Sequence, residues 1–98
     1  MTTEKELLEA NIDEHGFVIE LVVAMEECAE LAQAISKIIR DRTFANKQLI
    51  DHLSEEMADV TIVLDELGMI FKNTCDVAAW RKRKLERMEK RLEETENE

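Results

Sequence analysis

Proline is absent from this 98-residue chain, and Gly16 and Gly68 are its only glycines. With so few residues that favour turns, and with Ala, Leu, Glu, Lys and Arg abundant, the chain reads as almost wholly α-helical. A long hydrophobic run is also missing. No stretch approaches the ~20 apolar residues of a membrane span, so a membrane partner is excluded. Positive charge is scarce: 13 Lys and Arg stand against 23 Asp and Glu, for a formal net charge of −10. That balance repels nucleic-acid backbones and anionic lipid surfaces, which excludes nucleic-acid binding as the main role. It also hinders a nucleotide ligand unless cations neutralise the site. Cys28 and Cys75 lie in helical patterns with no partner motif. They read as free, buried thiols of a cytosolic protein rather than a disulfide. The acidic, amphipathic start MTTEKELLEA is unlike a signal peptide, and a cytoplasmic location is expected.

Residues 1–98 make one domain. A chain this short buries a modest core, so a dimer or larger assembly is expected. Helix one is predicted over about Thr3 to Glu14, with Leu7, Leu8 and Ile12 as its apolar stripe. Thr3 is a capping residue with Glu6 three positions on, and His15-Gly16 is the stop, with glycine in a left-handed cap. The second helix is predicted from Phe17 to Arg40. Leu21, Met25, Cys28, Ala32, Ile35 and Ile39 form one stripe, with Val22, Val23, Leu31 and Ile38 beside it. Such an all-round apolar helix is expected to be buried on several sides.

The segment DRTFAN, Asp41 to Asn46, reads as a loop with Asn46 as the next cap. Helix three follows from Lys47 to Lys72, with Leu49, Leu53, Met57, Val60, Leu64, Leu67 and Phe71 as its stripe. Gly68 weakens it locally, by ~1 kcal/mol relative to alanine, and Asn73-Thr74 breaks it. A fourth helix starts near Asp76 and carries Val77, Trp80, Leu85, Met88 and Leu92. Its last stretch, EETENE, is expected to fray.

One short pattern occurs twice. EECAEL, Glu26 to Leu31, is echoed by EEMADV, Glu55 to Val60. A helix turns ~100° per residue. With Glu55 at zero, Glu56 falls at about 100°, Asp59 at about 40° and Glu66 at about 20°, while Val63, Leu67 and Ile70 fall at about 80°, 120° and 60°. Glu56 therefore lies inside an apolar sector and Asp59 at its margin. On helix two, with Glu26 at zero, Glu27 falls at about 100° among Val23, Ala34 and Ile38 at about 60°, 80° and 120°, and Glu30 falls at about 40°.

Carboxylates three apart share a helix face. Two such pairs on adjacent helices put four carboxylates around one point, where like charges repel unless divalent cations hold them. Oxygen-only ligands suit Mg²⁺, with Mn²⁺ as a substitute, rather than zinc. A metal held in this way bridges to phosphate oxygens, which resolves the charge conflict with a nucleotide. The bland alternative is a solvated acidic face paired with lysines.

The pairs E-C-A-E (Glu27, Glu30) and E-M-A-D (Glu56, Asp59) have the form ExxE…ExxD. With their flanks, EECAELAQAISK and EEMADVTIVLDEL, they resemble the MazG-like all-α nucleoside triphosphate pyrophosphohydrolase superfamily, in its short phage and bacterial form. The resemblance runs from His15 to Leu92. It implies a four-helix-bundle-type fold completed by oligomerisation into a homodimer or homotetramer. It further implies Mg²⁺-dependent hydrolysis of a (deoxy)nucleoside triphosphate to monophosphate and pyrophosphate, with Glu27, Glu30, Glu56 and Asp59 as metal ligands. Glu27 or Glu30 would take the proton of the attacking water, and the sequence does not choose between them. Relatives of the same superfamily that act on deoxyuridine nucleotides or phosphoribosyl-ATP would share these ligands.

Other residues have weaker signals. Glu26 and Glu55 precede the motif pairs and are candidates to support the ligands. Lys37 and Arg40, beyond Glu30 on helix two, are candidate phosphate contacts. So are Lys84 and Arg87, in the basic RKRK region of helix four, which resembles the family's C-terminal KxxR. Trp80 reads as a core or dimer anchor, His15 as part of a helix-end turn and His52 as an exposed helical residue. The contrasting function is a helical interaction module whose acidic turns pair with the RKRK region.

Overall fold

Capping chemistry sets the first helix boundary. The Thr3 hydroxyl accepts the Glu6 backbone N–H at 3.1 Å, which satisfies one of the orphan donors of a helix start. In the computed structural model, which describes residues 1–97, four helices follow one another: α1 (Glu4–His15), α2 (Phe17–Asp41), α3 (Lys47–Phe71) and α4 (Thr74–Glu96). Among the described residues there is no strand, and no helix is long and apolar enough to cross a membrane. Gly16 ends α1 and begins α2 at φ 84°, a conformation that suits a residue without Cβ. Asn46 caps α3 by accepting the Leu49 N–H at 3.2 Å. Lys72, at φ 53°, closes α3 in the left-handed region. Helix α4 then begins two residues earlier than the sequence indicates and continues through Glu96. Within the described residues the expected fraying from Glu93 is therefore not seen.

The long helices α2 and α3, 25 residues each, form an antiparallel hairpin across the 42–46 connection. Helix α1 lies against both, and α4 extends away with no buried residue. The radius of gyration is 17.5 Å, against about 13 Å for a compact domain of 100 residues. Gly68 sits where α4 departs, and a Cβ there would meet Thr74 Oγ1 at 3.0 Å. Glycine is thus the residue that lets the start of α4 approach α3 so closely, which accounts for its place inside a helix.

The seam between α2 and α3 corrects the expected apolar stripes. The buried residues of α2 are Glu20, Ala24 and Ala34, and those of α3 are Glu56, Val63 and Glu66. Spacings of four and ten residues on α2, and of seven and three on α3, put each set on one face. Small and acidic side chains therefore line the seam, while Met25, Ile35, Ile39, Met57, Leu64 and Phe71 are exposed. Helix two is not covered on several sides within one chain, because the chain has no further mass to cover it. The same shortage leaves Cys28 and Cys75 free but exposed rather than buried, and leaves Trp80 53% exposed. Trp80 stacks with the Arg83 guanidinium, 5.0 Å from its ring centre, a weakly favourable exposed cation–π pair.

Candidate metal centre

Glu27 and Glu30 lie one turn apart on α2, and α3 brings Glu56 opposite them. One carboxylate oxygen from each of the three lies within 4.8 Å of the others. Asp59, one turn beyond Glu56, lies near enough to Glu27 for its charge to raise that carboxyl, and Glu30 acts on Glu56 in the same way. The antiparallel hairpin thus crosses the two motif pairs, Glu27 with Asp59 and Glu30 with Glu56.

Burial differs across the group. Glu56 is 6% exposed, Glu27 and Asp59 are half-buried, and Glu30 is exposed. Two oxygens, Glu27 Oε2 and Glu56 Oε2, are buried without a hydrogen-bond partner. Burial raises the Glu27 carboxyl above its ordinary value, and the neighbouring charges of Glu30, Asp59 and Glu56 raise it further. Glu56 is raised by burial and then by Glu30, and His52, whose Nε2 lies 3.9 Å from Glu56 Oε1, partly opposes the rise. His52 is accordingly half-buried and tied to the site, not an exposed bystander.

An unpaired buried carboxylate oxygen is costly. Among the described residues no lysine or arginine forms an ion pair with any of the four carboxylates. What would neutralise them is protons or a divalent cation. The donor set is all oxygen, which fits a hard ion such as Mg²⁺ or Mn²⁺. Oxygens on one Mg²⁺ lie at most about 4.2 Å apart, twice a bond of about 2.1 Å. The three oxygens here lie within 4.8 Å of one another, a bound slightly wider than that.

The remaining candidates stand apart. Glu26 and Glu55 are exposed. Lys37 and Arg40 are exposed further along α2, and Lys84 and Arg87 are exposed on α4, which packs little on the other helices. None of the four cations is brought to the carboxylates within one chain.

A second polar group adjoins the first, and sequence reasoning did not single it out. Glu20 and Glu66 are 4% and 3% exposed. Asn11 Nδ2 donates to Glu66 Oε2 at 3.1 Å and, at 3.4 Å, to Glu20 Oε1. His15 Nδ1 lies 3.2 Å from Glu20 Oε1 and 3.0 Å from the Asn11 carbonyl oxygen. The helix wheel does put Glu66 in the same sector as Glu55 and Asp59. The signal for Asn11 was missing, because it depends on how α1 docks. A cavity of about 280 Å³ runs between this group and the pair Glu27 and Asp59. A larger cavity of about 560 Å³, among Leu8, Leu64, Leu67 and Val77, lies where α1, α3 and α4 meet, and no motif carboxylate lines it.

No known protein family, curated protein or solved structure matches this chain.

Proposed function

We propose that this protein is a Mg²⁺-dependent nucleotide pyrophosphohydrolase of the MazG-like kind, which converts a (deoxy)nucleoside triphosphate to its monophosphate and pyrophosphate. The observation that carries the reading is the pair of buried, unpartnered oxygens, Glu27 Oε2 and Glu56 Oε2, in a three-carboxylate group drawn from two helices. Glu27, Glu30, Glu56 and Asp59 would hold the metal. When bound, a divalent ion supplies positive charge for phosphate oxygens and acidifies a coordinated water.

The chain's own groups do the rest. Glu27 or Glu30 accepts the proton as water oxygen bonds to phosphorus. The α–β anhydride P–O bond breaks, and its electron pair leaves with pyrophosphate. The Glu27 and Glu56 carboxyls are raised by burial and by their neighbours' charges, which brings them closer to the neutral range where general bases work best. Glu26 and Glu55 would steady the ligands from outside.

The exposed apolar stripes support a second element of this reading, a homodimer or homotetramer in which α4 and the outer faces of α2 and α3 are covered. Between Arg81 and Arg91, α4 has seven basic residues and two acidic ones, Glu86 and Glu89, in a protein that is acidic overall. Assembly would thus bring Lys84 and Arg87 towards a partner's acidic surface. Lys37 and Arg40 would remain phosphate contacts from α2. The interaction-module alternative is disfavoured within one chain, because no ion pair joins the RKRK region to the acidic turns among the described residues.

The test is a panel of ribo- and deoxyribonucleoside triphosphates, with deoxyuridine nucleotides and phosphoribosyl-ATP included, incubated with and without Mg²⁺. Equal yields of monophosphate and pyrophosphate, only with Mg²⁺, are expected. A folded sample that releases neither from any substrate refutes the activity.

A further inference from the structure

The cavity that opens at Glu27 and Asp59 has a far end that the hydrolytic chemistry leaves unused. Glu20 precedes Glu27 by seven residues, and Glu66 follows Asp59 by seven. Both separations are two helical turns, about 10 Å. The cavity therefore runs along the α2–α3 seam from the carboxylate quartet to the Asn11, Glu20 and Glu66 group, a span on the scale of one nucleoside. Its volume of about 280 Å³ falls just below the ~300–1,000 Å³ of pockets that take a whole small ligand. It is sized for a ring and part of a sugar, with the phosphates outside. Ile19, Val23, Ile62 and Val63 supply branched aliphatic walls against which a flat ring can lie.

We propose that this cavity is the base pocket and that Asn11, Glu20 and Glu66 select nucleobases bearing an exocyclic amino group (cytosine, adenine or guanine) over uracil and thymine. The proposal rests on the reading of Glu27 and Asp59 as the metal and phosphate end.

The selectivity follows from an inventory of donors and acceptors. No lysine or arginine lines the cavity. The far end presents two carboxyl groups and the Asn11 amide oxygen, all acceptors. The Asn11 amide N–H groups are already directed at Glu20 and Glu66, and the His15 ring nitrogen Nδ1 is taken up by Glu20 and the Asn11 carbonyl. Burial, followed by the hydrogen bond with Glu20, raises the Glu66 carboxyl. The carboxyl oxygens of Glu20 and Glu66 that Asn11 and His15 do not meet remain as acceptors. An amino group on a base can donate to them. Uracil and thymine offer a single imide N3–H set between two carbonyls, so aligning it turns their carbonyl oxygens towards the surrounding acceptors, and a buried mismatch of that kind is what makes hydrogen-bonding sites discriminate.

Nucleosides test the pocket without involving the metal end, because they have no phosphate. The protein would be labelled with ¹⁵N and titrated with cytidine, adenosine, guanosine, uridine and thymidine in the absence of metal. The amide signals of Asn11, Glu20 and Glu66 would be followed for the wild type, Glu66→Gln and Asn11→Ala. At least one amino-bearing nucleoside is expected to shift those signals at a concentration at least about tenfold lower than uridine or thymidine requires. Glu66→Gln adds an N–H that can meet a carbonyl, so the gap should narrow. Asn11→Ala, at a half-buried position, should narrow it too and serves if Glu66→Gln does not fold. Absent shifts at these residues, or uridine binding as well as the best amino nucleoside, overturns the proposal. Selective shifts without Mg²⁺-dependent hydrolysis would keep the pocket and refute the hydrolase. Hydrolysis with no base-dependent shift would do the reverse.

Discussion

Glu27 on α2 and Glu56 on α3 face each other across the seam, and with Glu30 one carboxylate oxygen of each lies within 4.8 Å of the others. Burial raises the Glu27 and Glu56 carboxyls, and the charges of their neighbours raise them further. Protons or a divalent cation would relieve that crowding of like charge, which links stability, pH and metal in this protein.

The first consequence concerns pH. The folded-state values of Glu27 and Glu56 are raised above the ordinary 4.5, so between the two values the folded state holds more protons than the unfolded one. Stability from these groups is present below about pH 4.5 and is lost as pH rises through the raised values. In chelator, the melting temperature should therefore fall with rising pH across that window. Saturating Mg²⁺ should lessen the fall, since it binds the deprotonated carboxylates. Parallel melting curves with and without Mg²⁺ at every pH would contradict the link.

Glu56→Gln separates stability from activity. The amide removes the buried charge and keeps the shape, so the chelated protein should melt at the same temperature or higher at neutral pH. Turnover should drop at least about 100-fold, since even changes behind a metal ligand reach that size. Thermal melts and steady-state rates on one preparation check both parts. Retained turnover would remove Glu56 from the site.

Trp80→Ala addresses assembly. The indole is half exposed in one chain, so truncation should cost the isolated chain little. If α4 packs on a second copy, the variant should shift from dimer or tetramer towards monomer by light scattering, and its melting temperature should depend more steeply on protein concentration. A wild-type protein that is monomeric at all concentrations would dispose of that assembly.

Gly68 gives a prediction on the fold alone. Alanine in a helix interior is worth about 1 kcal/mol over glycine, but the added Cβ would sit 3.0 Å from Thr74 Oγ1. Gly68→Ala should therefore gain less than that in the wild type and close to the full amount in a Thr74→Ala background, a non-additivity expected of residues in contact. Denaturant titrations of the two single variants and the double variant measure it. Additive effects would mean that Thr74 does not limit the approach.

These relationships were legible in the sequence to different degrees. Helix ends were readable because Thr3, Gly16 and Asn46 act within three residues of themselves, through local hydrogen bonds or backbone freedom. The acidic turns were readable because the helical period puts Glu27 and Glu56 among apolar neighbours. Which face of each helix meets the other was not. A wheel ranks faces by hydrophobicity, and here Ala24 and Ala34 let α2 approach α3 while the larger apolar residues point outward. Asn11 escaped notice for a related reason, since its role depends on where α1 docks, and nothing within α1 records that. The exposed cysteines follow from the same outward turn of the apolar stripes.

The claim underlying the whole account is that these carboxylates hold a divalent cation, and a Mn²⁺ titration of the metal-free protein, read by electron paramagnetic resonance, tests it most directly. Saturable, stoichiometric binding in the wild type, displaced by Mg²⁺ and lost in Glu56→Gln, is the predicted result. No saturable binding in the folded wild type, or binding that Glu56→Gln leaves unchanged, would contradict the account.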